Sequence, residues 1–199
     1  MRAYAPGEID AGLSQEILAA VSDKFDSQLE FTMDLMRHAS LRGQEAGAQA
    51  SLYAALQARG YAMDRWSIDI DAIQDHPGFT PVKVDYANAL NVVASHQPRS
   101  NQGRSLILNG HIDVVPTGPL EMWTQPPFEP RIEADWLYGR GGGDMKAGLC
   151  ANIFALDALR DLGLQPAAEV YIQSVTEEEC TGNGALSALV RGYRADAAI

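Results

Sequence analysis

Cysteine is scarce in this chain. Only Cys150 and Cys180 occur among its 199 residues, and neither belongs to a CxxC pair. A disulfide framework is therefore not expected, and two free thiols in a reducing compartment are the simplest reading. No stretch approaches eighteen consecutive apolar residues, so no membrane-spanning helix is expected. The N-terminal MRAYAPGEIDAG has no apolar core of signal-peptide length, and a cytoplasmic location is the expectation. Basic residues are outnumbered: Lys plus Arg total 15 against 26 Asp plus Glu, for a net charge of −11. Such a balance argues against nucleic acid or an anionic membrane as a partner held by bulk charge. Nucleophilic catalysis is poorly supported, because GxSxG is missing and neither cysteine has a persuasive histidine partner. The glycine-rich GRGGGDMK is not a phosphate loop, since no Gly-Lys-Ser/Thr follows and its glycines do not match GxGxxG. The chain has no internal repeat and no low-complexity tract.

What is present is apolar residue in quantity, 46% of the chain, enough for a sizeable core. Ile17, Val21, Phe25, Leu29 and Met33 recur at helical spacing and predict a helix over 13–38 with Ser14 as its cap. A second helix is predicted from about Gln44 to Arg59, with Gly60 as its stop. Residues 61–70 read as a strand, 71–87 as a Pro/Gly loop, and Leu90–Ser95 as a short β-branched strand. Leu106, Ile107 and Leu108, bounded by Asn109 and Gly110, read as a buried parallel strand. Arg131–Tyr138 suits a hairpin arm. A helix is predicted from Asp144 to Leu162, a buried strand over Val170–Val175, and a helix starting near Asn183 or Gly184. After residue 88 helices and strands alternate, which argues for α/β layering in one domain spanning 1–199.

Polar chemistry begins where the apolar runs stop. His111 and Asp113 are two apart, so on extended backbone they share a side. An imidazole beside a carboxylate that fixes its tautomer is a metal-ligand arrangement, and a surface histidine in a strand-exit loop is the plainer alternative. Asp144, at the end of the glycine turn, suits either a helix N-cap or a ligand. Glu177, Glu178 and Glu179 follow the Val170–Val175 strand. They form either a solvated acidic loop or a ligand beside a general base. In α/β sheets, ligands gather beyond the carboxyl ends of strands, where these residues all fall. One imidazole among oxygens suits Zn²⁺, and also Co²⁺ or Mn²⁺.

The segments GHIDVVPTG, Trp123-x-x-x-Pro127-Phe128, LYGRGGGDMKAG and SVTEEECTGNGA, in this order, resemble the co-catalytic zinc family of acetylornithine deacetylase, succinyl-diaminopimelate desuccinylase, aminoacylase and glutamate carboxypeptidase. The resemblance covers roughly 14–199 and is densest over 105–185. It implies a zinc-peptidase-like catalytic domain, a layered, mostly parallel sheet with helices on both faces. It also implies two zinc ions per full-length chain. His111 would bind one metal and Asp113 would orient it; Asp144 would bridge the pair. Setting the family's glycine at Gly184 makes Glu178 the general base and Glu179 a ligand, with Glu177 only supporting them electrostatically. The other register has Glu177 as base and Glu178 as ligand.

The implied reaction is amide hydrolysis, foremost deacylation of an N-acyl amino acid. A dipeptidase or carboxypeptidase is the alternative within the family, and a non-catalytic metal-binding or assembly protein the alternative outside it. Family chains are about twice as long. Their remaining ligands and their lid domain, which supports a homodimer, are expected beyond Ile199, so the chain reads as the N-terminal part of the catalytic domain.

Overall fold

The computed structural model describes residues 10–199; most of the N-terminal stretch read for a leader lies outside the described residues. Helices α1 (Ala11–Asp23) and α2 (Phe25–Met36) replace the single helix expected over 13–38. They meet at Lys24, whose backbone stays right-handed at φ −88°, ψ −10°. The cap is Asp10 rather than Ser14: its carboxylate accepts from the Leu13 amide at 2.8 Å. The break divides the expected apolar stripe. Leu13, Leu35 and Met36 are buried, while Val21 and Phe25 are exposed.

Helix α3 (Ala46–Ala58) leads into strand β1 (Ala62–Ser67). A four-residue helix, α4 (Ile70–Ile73), interrupts the segment expected to be extended and looped. Strands β2 (Leu90–His96) and β3 (Leu106–His111) follow, then the hairpin β4 (Arg131–Glu133) and β5 (Trp136–Tyr138). A wide turn, Gly142–Lys146, opens helix α5 (Ala147–Asp161). Strand β6 (Val170–Val175), helix α6 (Asn183–Val190) and strand β7 (Ala197–Ala198) complete the described chain.

The main sheet has the order β1-β2-β6-β3-β7. β3 runs parallel to both β6 and β7, whereas β2 is antiparallel to β6 and to β1. The site-bearing half is thus the parallel part of a mixed sheet. Side chains alternate across it as the strand period requires. Val92, Ala94, Leu108, Val170 and Ile172 join Leu35, Leu52, Leu56, Leu149 and Ile153 in the principal core. Their neighbours point the other way: Asn91 donates to the Gly184 carbonyl at 2.7 Å, and Tyr171 packs edge-on against Tyr193. A smaller core of Ile68, Ile73, Tyr86, Ala89 and Leu186 lies with α4 and α6. Helices therefore cover both faces of the α/β layer, as expected. Among the described residues no helix is long and apolar enough to cross a membrane.

Candidate metal centre

β3 and β6 are in register so that His111 pairs with Val175. Both strands stop at the same level, and their exit loops share one sheet edge. Glycine makes the close approach possible on the β6 side. A Cβ on Gly184 would overlap the Thr176 carbonyl oxygen, so α6 can start directly over the end of β6 only with glycine there. On the other side, Gly141 has φ +78° and a Cβ there would meet Val114 Cγ1 at 2.7 Å.

Three of the expected ligands converge. A ring nitrogen of His111 and one carboxylate oxygen each from Asp144 and Glu179 all lie within 4.8 Å of one another. The His111 ring is fixed through Nδ1, which lies 2.9 Å from the Asp113 carbonyl oxygen and 3.5 Å from its carboxylate. That contact leaves Nε2 facing Asp144 Oδ1 at 3.0 Å. The orienting contact comes mainly from the Asp113 main chain. The buried Asp113 carboxylate also accepts from the Glu179 amide, through one oxygen at 3.1 Å. It thereby ties the β3 exit to the β6 exit. Burial draws the His111 imidazole down, but the carboxylates of Asp113 and Asp144 outweigh it and lift the ring to about 9. Burial and the nearby Asp144 charge raise the Glu179 carboxyl.

Asp144 is not a helix cap. Helix α5 begins three residues later, and the residue at its N-cap position is Lys146. The Asp144 side chain is 79% exposed and reaches into the opening before His111. Glu178 is also exposed, with Oε2 at 3.6 Å from His111 Nε2, beside the ligand group and free to meet a water.

Glu177 differs from its sequence reading. Expected only to support the pair electrostatically, it is buried and paired. Both oxygens are held by Arg42, Nε and Nη2 each donating at 2.6 Å, and Tyr86 donates its hydroxyl at 2.6 Å. Both Glu177 oxygens are thus occupied by side chains of the protein itself, whereas Glu178 stands exposed beside His111. Arg42 and Lys146 were missed in the sequence. Lys146 is fully buried and donates through Nζ to the carbonyls of Leu35 at 2.9 Å and His38 at 2.8 Å. Burial pulls its ammonium down to about 8.

The donor set, one imidazole nitrogen with carboxylate oxygens and its second ring nitrogen already committed, fits a divalent cation such as Zn²⁺.

Residues 107–199 match the family described as "Peptidase family M20/M25/M40". N-formyl-4-amino-5-aminomethyl-2-methylpyrimidine deformylase of Halalkalibacterium halodurans is 44% identical over 115 residues, 57% of this chain and 27% of that protein. Succinyl-diaminopimelate desuccinylase of Methylibium petroleiphilum is 31% identical over 167 residues, 84% of this chain and 40% of that protein. The chain thus spans less than half the length of these curated relatives. Among solved structures, a di-peptidase from Saccharomyces cerevisiae shares the fold with a TM-score of 0.66 at 16% identity, over 83% of this chain and 35% of its own.

Proposed function

We propose that the whole protein is a metal-dependent amidohydrolase of the family that residues 107–199 match, "Peptidase family M20/M25/M40", and that it deacylates an N-acyl amino acid. The present chain, 1–199, supplies the N-terminal part of its catalytic domain. The observation that carries the proposal is the convergence of His111, Asp144 and Glu179 with Glu178 alongside. His111 Nε2 and the Asp144 and Glu179 carboxylates would hold the cation, with zinc as the native metal, two per full-length chain, and Co²⁺ or Mn²⁺ as substitutes. A cation bound there supplies Lewis acidity to the scissile carbonyl.

The chain's own residues do the rest. Asp113 fixes the His111 ring and, through the Glu179 amide, the distance between the two strand exits. Glu178 takes the proton of the attacking water and returns it to the departing amine. The assembled enzyme is a cytoplasmic homodimer.

The test is amine release by the whole protein from a panel of N-acyl amino acids, including N-acetylornithine and N-succinyl-diaminopimelate, beside dipeptides. Turnover should appear with Zn²⁺ or Co²⁺, disappear with chelator and return with metal. Preference for dipeptides would move the reading to the peptidase branch. Metal binding without turnover of any amide would replace it with a non-catalytic metal-binding protein.

A further inference from the structure

The segment 37–45 between α2 and α3 holds no expected site residue, yet it is bonded to all three segments that do. Ser40 donates its hydroxyl to the Ile112 carbonyl at 2.6 Å and accepts from the Val114 amide at 3.0 Å. Leu41 forms an isolated parallel bridge with Val114. These contacts bracket Asp113 on both sides. His38 accepts from Lys146, two residues past Asp144. Arg42 reaches Glu177, 135 positions later, with both oxygens engaged.

The Glu177 contact sets the direction of the residues after it. Glu177 has φ +66°, a backbone region that side-chain-bearing residues enter only where their surroundings over-determine it. Arg42 and Tyr86 hold the side chain, while the amides of Thr181 and Gly182 donate to its carbonyl at 2.9 and 2.8 Å. With Glu177 turned inward, Glu178 and Glu179 project toward His111. A guanidinium fork fixes both position and plane of a carboxylate, which an ammonium does not.

We propose that Arg42 is a positioning residue of the metal centre, holding Glu178 and Glu179 in place through its two-pronged pair with the buried Glu177; the inference rests on the metal-dependent reading above. Arg42 is not among the side chains that would hold the cation, so its loss would act on ligand geometry rather than ligand number.

The experiment is Co²⁺ titration of the whole protein followed by visible absorption, which reports both affinity and ligand geometry. Arg42→Lys keeps the charge and removes the fork. Its Co²⁺ affinity should fall on the order of tenfold to a hundredfold, the range seen when partners behind metal ligands are removed, and its absorption bands should shift. Arg59→Lys is the control. It breaks a comparably buried pair, Arg59 with Asp157, between α3 and α5, and should leave affinity and bands as in the wild type. Should Arg42→Lys not fold, Glu177→Gln removes the same charge-assisted pair without stranding a buried carboxylate, and should weaken Co²⁺ binding in the same sense. The proposal is overturned if folded Arg42→Lys, or Glu177→Gln in its stead, binds Co²⁺ with wild-type affinity and bands, or if Arg59→Lys loses as much. Absence of Co²⁺ binding by the wild type would overturn the metal-dependent reading together with this one.

Discussion

Lys146 Nζ lies 2.9 Å from the carbonyl oxygen of Leu35, so the ammonium caps the C-terminal end of α2 from a different part of the chain. Helix C-termini leave carbonyls without internal partners and carry partial negative charge. Lys146 serves two carbonyls at this end, those of Leu35 and His38. Lys146→Met keeps most of the bulk and removes both donors. The variant should lose on the order of 2–4 kcal/mol, the penalty for leaving two buried carbonyls unpaired. Urea unfolding of metal-free protein measures it, and a loss below about 0.5 kcal/mol would mean that water replaces the ammonium.

Glu178→Gln and Glu179→Gln should separate base from ligand. Glu178→Gln keeps the side-chain shape and removes the proton acceptor, so rate should fall by about 10² to 10⁴ with metal content unchanged. Glu179→Gln should lose metal as well as rate, because a neutral amide is a weaker ligand than a carboxylate. Metal analysis beside kcat decides the matter. Metal lost from Glu178→Gln instead would shift the assignment by one residue.

Glu45 makes stability depend on pH. Its carboxyl accepts from the Gly43 amide at 2.9 Å. Burial is the main cause that pushes it from 4.5 up to about 7; backbone hydrogen bonds oppose this, and Asp113 and Glu177 add to it. The folded protein therefore holds a proton there that the unfolded chain releases at lower pH. Its stabilising contribution is complete below about pH 4.5 and is lost as pH rises through about 7. Glu45→Gln should abolish that slope, so the stability difference between variant and wild type should change by about 3 kcal/mol from pH 4 to pH 8. Chemical denaturation at the two pH values tests it, and an unchanged slope in the variant would assign the effect elsewhere.

Gly184→Ala should be severely destabilising. The added methyl would overlap the Thr176 carbonyl, and a clash with main chain cannot be relieved by a rotamer change. A loss of about 3 kcal/mol or more is expected. A melting temperature within a few degrees of the wild type would show that α6 can slide off the strand end.

The residues that converge at the candidate centre were legible in the sequence because they sit in short local signals. His111 and Asp113 follow an apolar run that reads as a buried strand, and the glutamates follow another. The parallel β3–β6 pair then brings both exits together. Arg42 carried no such signal. It lies in a polar break between two helices, and its partner is 135 positions away. Lys146 sits in a glycine-rich motif whose spacing reveals a turn but not that its ammonium is buried. The break at Lys24 was hidden because no glycine or proline marks it, and apolar periodicity runs straight through. The antiparallel placement of β1 and β2 was equally hidden, since a short β-branched run reads alike in either direction.

The Leu41–Val114 bridge has a consequence for hydrogen exchange. The Val114 amide donates to the Ser40 carbonyl and the neighbouring Asp113 accepts from the Glu179 amide, so loss of the α2–α3 contacts frees the first amide and loosens the support of the second. Segments far apart in sequence should then open as one cooperative unit. Their amides would exchange at a common rate, and denaturant would accelerate them together.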